Sequence, residues 1–423
     1  MNNIKQQLKR STSFMTVVLL LLFGTFSGTI LNSCDDDSDD GAGEVPEIKY
    51  IRITDPMASD SLVVRAFLGS TIALVGDNLG DVVEIWFNDQ KAVLNVNYIT
   101  DKAIIVTIPN EIPEEVTDQI KLITRSGVEY TYDFQVQVPQ PLLNSMTCEY
   151  VPDGEVAVIN GNYFLGDEER PLQVFFPGNI EAEIESYTVD QIRVIVPEGV
   201  SPGPITVKSM YGSTRSSFYF RDDRNIFLDF DTKLGAGWRS GVTQASSPDG
   251  VSGNYLALTG TLSDWAWIED NLAMNLWGGW SSNPDQQNPL FDLGQNSLSD
   301  MVLKFEVNVV NPWAVGYLQC IFTPYDIPGP DGGNAYYSDT SLGRALWRPW
   351  FEIGDSYQTE GWITVSIPLT EFRFSHDASV NNLSLTYPDD FGGFTFFVWG
   401  PALDAELEQD LFIAIDNVRV VPK

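Results

Sequence analysis

Leu303-Lys304-Phe305-Glu306-Val307-Asn308-Val309 decides the fold class. Apolar side chains fall on one face of this stretch and polar ones on the other, the period-2 pattern of a strand with one face in a core. Ile363-Thr364-Val365-Ser366-Ile367 behaves likewise. Long apolar stripes at a 3.6-residue period are missing, and Gly and Pro interrupt the chain throughout. An all-β protein of two or three domains is expected from 423 residues.

Two segments in the first half repeat each other. One holds Leu74-Val75-Gly76-Asp77-Asn78-Leu79, then Ile105-Val106-Thr107-Ile108-Pro109, then Ser126-Gly127-Val128. The other holds Val158-Ile159-Asn160-Gly161-Asn162-Tyr163-Phe164, then Arg193-Val194-Ile195-Val196-Pro197, then Tyr211-Gly212-Ser213. The offsets are 85 residues from Gly76 to Gly161, 88 from Pro109 to Pro197 and 85 from Gly127 to Gly212. A polar turn after a strand, a strand ended by Pro and a Gly turn before the last strand fit a small Ig-like sandwich. The two segments, 46–138 and 139–222, resemble IPT/TIG domains, which act mostly as spacers. Val138-Pro139-Gln140-Pro141 joins them as an extended, stiff connection.

A new character begins near Arg224. Ile226-Phe227-Leu228-Asp229-Phe230-Asp231 opens a strand and Ile415-Asp416-Asn417-Val418-Arg419-Val420 closes the chain as another. Between them, strands alternate with long polar-aromatic loops, and residues 223–423 read as a jelly-roll-like sandwich whose first and last strands lie side by side.

The N-terminus carries export features. Lys5, Lys9 and Arg10 precede an apolar run from Met15 to Phe23 that is too short to span a bilayer comfortably. Leu31-Asn32-Ser33-Cys34 then resembles a bacterial lipobox, although Asn32 departs from the usual small or hydroxyl residue. On this reading residues 1–33 are a lipoprotein signal peptide and Cys34 is lipidated, with plain secretion as the alternative. The acidic run Asp35 to Asp40 makes 34–45 a solvated tether. Cys148 and Cys320 lie far apart in different expected domains, so no disulfide is expected.

Charge narrows the ligand. The chain carries a formal −34, and the mature part near −37, which repels nucleic acid, anionic membranes and acidic polysaccharides. A neutral ligand is favoured, and no nucleic acid partner.

Catalytic signals are sparse. His376 is the only histidine, and it sits in a loop-like Phe374-Ser375-His376-Asp377 with no nucleophile motif around it. Glycoside hydrolysis or lyase chemistry needs a carboxylate pair; Glu269 with Asp270, Glu352 with Asp355, and Asp389 with Asp390 are the pairs near aromatics. No metal-ligand motif or EF-type loop exists and no cofactor is expected, though Asp229, Asp231 and Asp416 leave a structural calcium open.

Ten of the eleven tryptophans fall in the last two hundred residues. Flat aromatic faces beside amides and carboxylates suit a sugar ring. Trp350, Trp362 and Trp399 read as core, Trp238 as either, and Trp265 and Trp267 share one face that fits a core. Trp277 and Trp280 flank two glycines, Trp313 follows Asn311-Pro312, and Tyr336 and Tyr337 end the loop Pro328 to Ala335. With Trp347, these six form the expected glycan platform.

The whole pattern resembles the B-type surface glycan-binding proteins of Bacteroidetes, whose last domain is a xyloglucan-binding domain. Arg344-Ala345-Leu346-Trp347-Arg348-Pro349-Trp350 and the closing Ile415 to Val420 look like segments of that domain. The resemblance implies non-catalytic capture of a neutral polysaccharide, xyloglucan or another β-glucan first. It also implies display on the outer membrane through a lipid anchor and passage of the glycan to a TonB-dependent transporter. A carboxylate-pair hydrolase or lyase and a protein-binding adhesin or scaffold are the alternatives.

Overall fold

A computed structural model describes residues 45–58, 60–240, 243–244 (backbone only), 247–268, 272–278, 289–325, 337 and 339–423. The protein is nearly all antiparallel β, organised around three main hydrophobic cores. Among the described residues no helix is long and apolar enough to cross a membrane. The expected leader and Cys34 lie outside the described residues.

The first core draws on Ile48 to Val136 and the second on Leu143 to Phe220. The repeat motif has a common physical basis in both. Gly76, in strand Thr71–Asp77, lies against strand Glu47–Ile53 at a register shift between Ile48 and Tyr50. A Cβ on Gly76 would sit 1.7 Å from the Glu47 carbonyl oxygen. Gly161, in strand Val156–Asn162, lies against strand Leu142–Met146 at a shift between Leu143 and Ser145. There a Cβ would sit 1.9 Å from the Leu142 oxygen. Each glycine lets one backbone cross close over a bulge in its neighbour.

The third unit is a two-sheet sandwich. Its larger sheet runs Thr243–Gln244, Tyr255–Ser263, Glu408–Pro422, Met301–Val309 and Ile363–Pro368, with Ile226–Leu228 also paired to Glu408–Pro422. The smaller sheet runs Ala273–Leu276, Gly393–Ala402, Val315–Thr323 and Ala345–Trp347. First and last strands meet as expected, with Ile226 opposite Arg419.

Strand Met301–Val309 keeps its alternation but is buried along its whole length. Leu303, Phe305 and Val307 enter the core between the sheets. The polar face is covered by the second unit: Lys304 pairs with Glu149, and Arg419 bridges Glu149 and Glu306. Thr364 Oγ1 donates to Glu306 Oε1 at 2.9 Å and accepts from Glu149 N at 2.7 Å. Burial opposes charge on Arg419, but the carboxylates around it outweigh that and hold the guanidinium protonated.

Candidate functional site

In strand Gly393–Ala402, Phe394, Phe396 and Val398 point between the sheets. Thr395, Phe397 and Trp399 therefore face outward. Gln319 and Ile321 of Val315–Thr323 and Ala273 and Asn275 of Ala273–Leu276 join them by register. This outer face holds a second apolar layer of Ala273, Ile321, Tyr337 and Phe397, with Trp399 and Leu342 packed against it.

A sheet of aromatic rings covers that layer. Trp265 lies 5.1 Å and Trp267 5.4 Å from the Trp399 ring, both edge-on, while His376 stacks on Trp399 at 5.2 Å and 11°. Trp267 also touches Phe397 at 5.2 Å and Tyr337 at 5.6 Å. Beyond Tyr337, the Arg239 guanidinium carbon sits 3.9 Å from the Trp238 ring. Trp238, Trp265 and Trp267 are 36%, 37% and 38% exposed, so their indoles reach solvent while Tyr337 and Phe397 form the floor.

Polar groups beneath fix the rings. Gln319 Nε2 donates to the Trp399 carbonyl at 3.0 Å and Arg344 Nη1 donates to Gln319 Oε1 at 2.8 Å. Arg344 Nη1 also reaches the Tyr337 carbonyl at 2.9 Å, and Nη2 the Asp339 carbonyl at 2.9 Å. Burial pushes Arg344 down to about 10, still charged at neutral pH. Asn275 exchanges hydrogen bonds with the Tyr337 hydroxyl and accepts one from Thr395 Oγ1 at 2.7 Å. Trp399 Nε1 donates to the Trp265 carbonyl at 3.3 Å.

Two described carboxylates near the rings, Asp377 and Asp339, lack the raised proton affinity of a general acid. Burial alone would raise Asp377, but hydrogen bonds from Ser379 and Ser375 outweigh it and hold the carboxyl well below the usual range. Asp339 is likewise lowered, its burial outweighed by hydrogen bonds from Ser341. A general acid at neutral pH needs the opposite shift. Burial also lowers His376, which favours the neutral ring. Glu352 and Asp355 are exposed, Asp390 Oδ2 accepts from Thr386 N within a turn, and Glu269 and Asp270 lie outside the described residues.

The three aspartates that left a structural calcium open accept hydrogen bonds from protein donors. Asp229 Oδ1 accepts from the backbone of residues 231 to 233, Asp231 Oδ1 from Asn254, and Asp416 from Ser252 Oγ and Asn417 N. Among the described residues no His/Cys/Asp/Glu group is arranged to hold a metal.

The expected platform is corrected here in part. Trp277, Trp313 and Tyr337 are 0–1% exposed. Trp313 is drawn between the sheets by its bridge to Tyr357, its Nε1 donating to the Val315 carbonyl at 2.6 Å. Trp277 Nε1 points at Thr395 Oγ1, and Tyr337 lies under Trp267. Such rings present no face to a sugar. Trp347 is half-buried at the sandwich edge, away from the aromatic face, and Trp280 and Tyr336 lie outside the described residues. Trp399, expected in the core, faces outward instead; Trp350 is buried between the sheets, its Nε1 donating to the Gly316 carbonyl. Trp362 packs where the second and third units meet. The missed surface residues carried one signal: Trp265 and Trp267 alternate, and that shared face is the outer one.

Residues 220–422 match the family model of the surface glycan-binding protein B xyloglucan binding domain. The crystal structure of surface glycan-binding protein PbSGBP-B from Prevotella bryantii is 32% identical, with 90% of this chain and 99% of that chain aligned at a TM-score of 0.72. An IPT/TIG domain-containing protein of Bacteroides ovatus is 29% identical over 245 residues, 54% of this chain; the match spans 46% of that relative's length. On the strength of the nearly complete match to the Prevotella protein, the chain belongs to the family of B-type surface glycan-binding proteins.

Proposed function

We propose that this protein captures a neutral β-glucan, xyloglucan first, on the outer face of the smaller sheet and does not cleave it. The observation that carries this is the set of solvent-reaching indoles of Trp238, Trp265 and Trp267 above the buried Tyr337–Phe397 floor. Apolar ring faces bordered by polar groups match a pyranose, whose C–H face is apolar and whose rim is hydroxylated. The strong negative charge of the chain favours an uncharged polymer, and the low-lying Asp377 and Asp339 favour binding over hydrolysis. The family model for residues 220–422 is that of a xyloglucan binding domain, which supports the choice of glycan.

Stacking contributes about 1–3 kcal/mol per ring by analogy with nucleic-acid platforms, and two or three rings together with hydrogen bonds give about −4 to −8 kcal/mol, a Kd of about 1 mM to 1 μM. Affinity gels with xyloglucan, mixed-linkage β-glucan and a charged pectin, followed by calorimetry, test the proposal. Retention by a neutral glucan alone supports it; retention by none, or release of reducing sugar, overturns it.

Display at the cell surface belongs to the same proposal. Cys34 carries the lipid, the acidic segment and the two Ig-like units hold the last sandwich off the outer membrane, and a TonB-dependent transporter receives the glycan. Cys34→Ala is expected to release the protein from membranes; a variant that stays membrane-bound and normally processed overturns the anchor.

A further inference from the structure

Among the described residues, strands Ala345–Trp347 and Ile363–Pro368 are edge strands of opposite sheets, each hydrogen-bonded to one neighbouring strand. Between them opens a cavity of about 400 Å³. Trp347 forms one wall, its ring packed at 5.4 Å on Trp313 and 6.1 Å on Phe305, and Phe374 contributes another apolar surface. Arg348, Glu352, Glu371 and Arg373 supply the polar lining.

We propose that this cleft is a second glycan-contact site, holding the part of a polysaccharide that runs past the aromatic face. The inference rests on the reading that the aromatic face takes a glycan. Two cations and two anions leave the cleft no net charge with which to select an ionic ligand. Guanidinium groups only donate and carboxylates only accept, and the adjacent hydroxyls of a sugar do both. The indole and Phe374 offer apolar surface to the ring.

The two arginines are held in place at the cleft, Arg373 also lying over Phe374 with its guanidinium carbon 4.5 Å from that ring. Arg373 is fixed by Glu371 at 3.0 Å and by the Asn381 carbonyl at 3.1 Å. Arg348 lies over Phe351 and Tyr317, its guanidinium carbon 4.3 and 5.1 Å from their rings, and makes no ion pair among the described residues. Trp347 is opposite Leu318, which is opposite Val398, so by register the indole lies on the inner side of the smaller sheet and the aromatic face on its outer side. Strand Ala345–Trp347 is the edge between them, two interstrand steps of about 4.8 Å from the strand of Trp399. A long chain reaches both sites by turning over that edge.

Strand addition by a polypeptide fits this edge poorly. Ala345–Trp347 has only three residues, Ile363–Pro368 ends in a residue without an N–H, and Thr364 N already donates to the Thr147 carbonyl.

The test uses the full ectodomain carrying Arg348→Ala with Glu352→Ala, with Glu352→Gln as a milder variant. The probes are xyloglucan polymer and a single-repeat xyloglucan oligosaccharide, measured by calorimetry beside a melting curve. Loss of a second contact is expected to weaken polymer binding roughly 5- to 20-fold. Oligosaccharide binding at the aromatic face is expected to stay within about twofold, the size of a negligible free-energy change. Unchanged polymer affinity overturns the cleft as a glycan contact. Equal weakening of both probes also overturns it, because these residues then act through the aromatic face. Trp265→Ala with Trp267→Ala separates the readings: undiminished oligosaccharide binding there refutes the aromatic face, whatever the cleft variant does. Wild-type protein that binds neither probe overturns both.

Discussion

Arg419 Nη2 donates to Glu149 Oε2 at 2.7 Å, joining the last strand of the chain to the second Ig-like unit across 270 residues of sequence. Both side chains are almost fully buried. Arg419 also grips Glu306 through two hydrogen bonds of 2.8 and 3.0 Å, and Lys304 approaches the other oxygen of Glu149. Removing one member of such a cluster strands the others without water. Glu149→Ala is expected to destabilise the joint by about 3–5 kcal/mol. Denaturation followed by tryptophan fluorescence checks this, since nearly all the indoles report on the third sandwich. An unchanged transition contradicts it.

Gly76→Ala and Gly161→Ala place a methyl against a backbone oxygen that no rotamer change can move. Each is expected to cost at least about 1–3 kcal/mol, the range for overpacking. Gly127→Ala is a different case, because nothing lies within 4 Å of its Cβ and only its positive φ opposes the change. Melting curves in which Gly127→Ala loses less stability than either of the others check the bulge argument.

Asp416 makes stability depend on pH. Burial pushes its carboxyl up to about 8 from 3.8, only partly offset by hydrogen bonds from Ser252 and Asn417. The folded protein therefore keeps a proton that the unfolded chain releases above about pH 4, and this group's contribution falls as pH rises from about 4 to 8. Asp416→Asn keeps the shape of the side chain and one acceptor oxygen without the ionisation. The variant is expected to gain on wild type steadily over that window, with the largest difference at pH 8 and above; a parallel pH profile for the two proteins refutes it.

Aromatic substitutions are expected to divide into two groups. Trp265→Ala and Trp267→Ala weaken glycan binding by about 1–3 kcal/mol each, roughly 5- to 150-fold in Kd, with little change in melting temperature. Trp313→Ala empties a fully buried site and costs about 3–5 kcal/mol of stability. Calorimetry and melting curves on the same three proteins decide the division.

Strand alternation was legible because a period of two survives whatever lies on either side. What lies there was not. The polar side of Leu303 to Val309 looks solvated in sequence, yet Lys304 and Glu306 meet Glu149 of another unit. The aromatic face was obscured for the same reason. In Phe394-Thr395-Phe396-Phe397-Val398-Trp399 both faces are largely aromatic, so alternation cannot say which is inward. Trp313 follows a Pro and looks like a loop residue, but a single bridge to Tyr357 turns it into the core. Local composition marked the loop, and a contact 44 residues away set the burial.

Strand Glu408–Pro422 sits in the middle of the larger sheet, bonded to Ile226–Leu228, Tyr255–Ser263 and Met301–Val309. The Ig-like units close on partners within their own segments, but this sheet has no centre until residues 408–422 are in place. Assembly order is therefore built into the topology. Each spacer closes from its own segment, while the glycan-facing sandwich forms its longest-range pairings last and slowly.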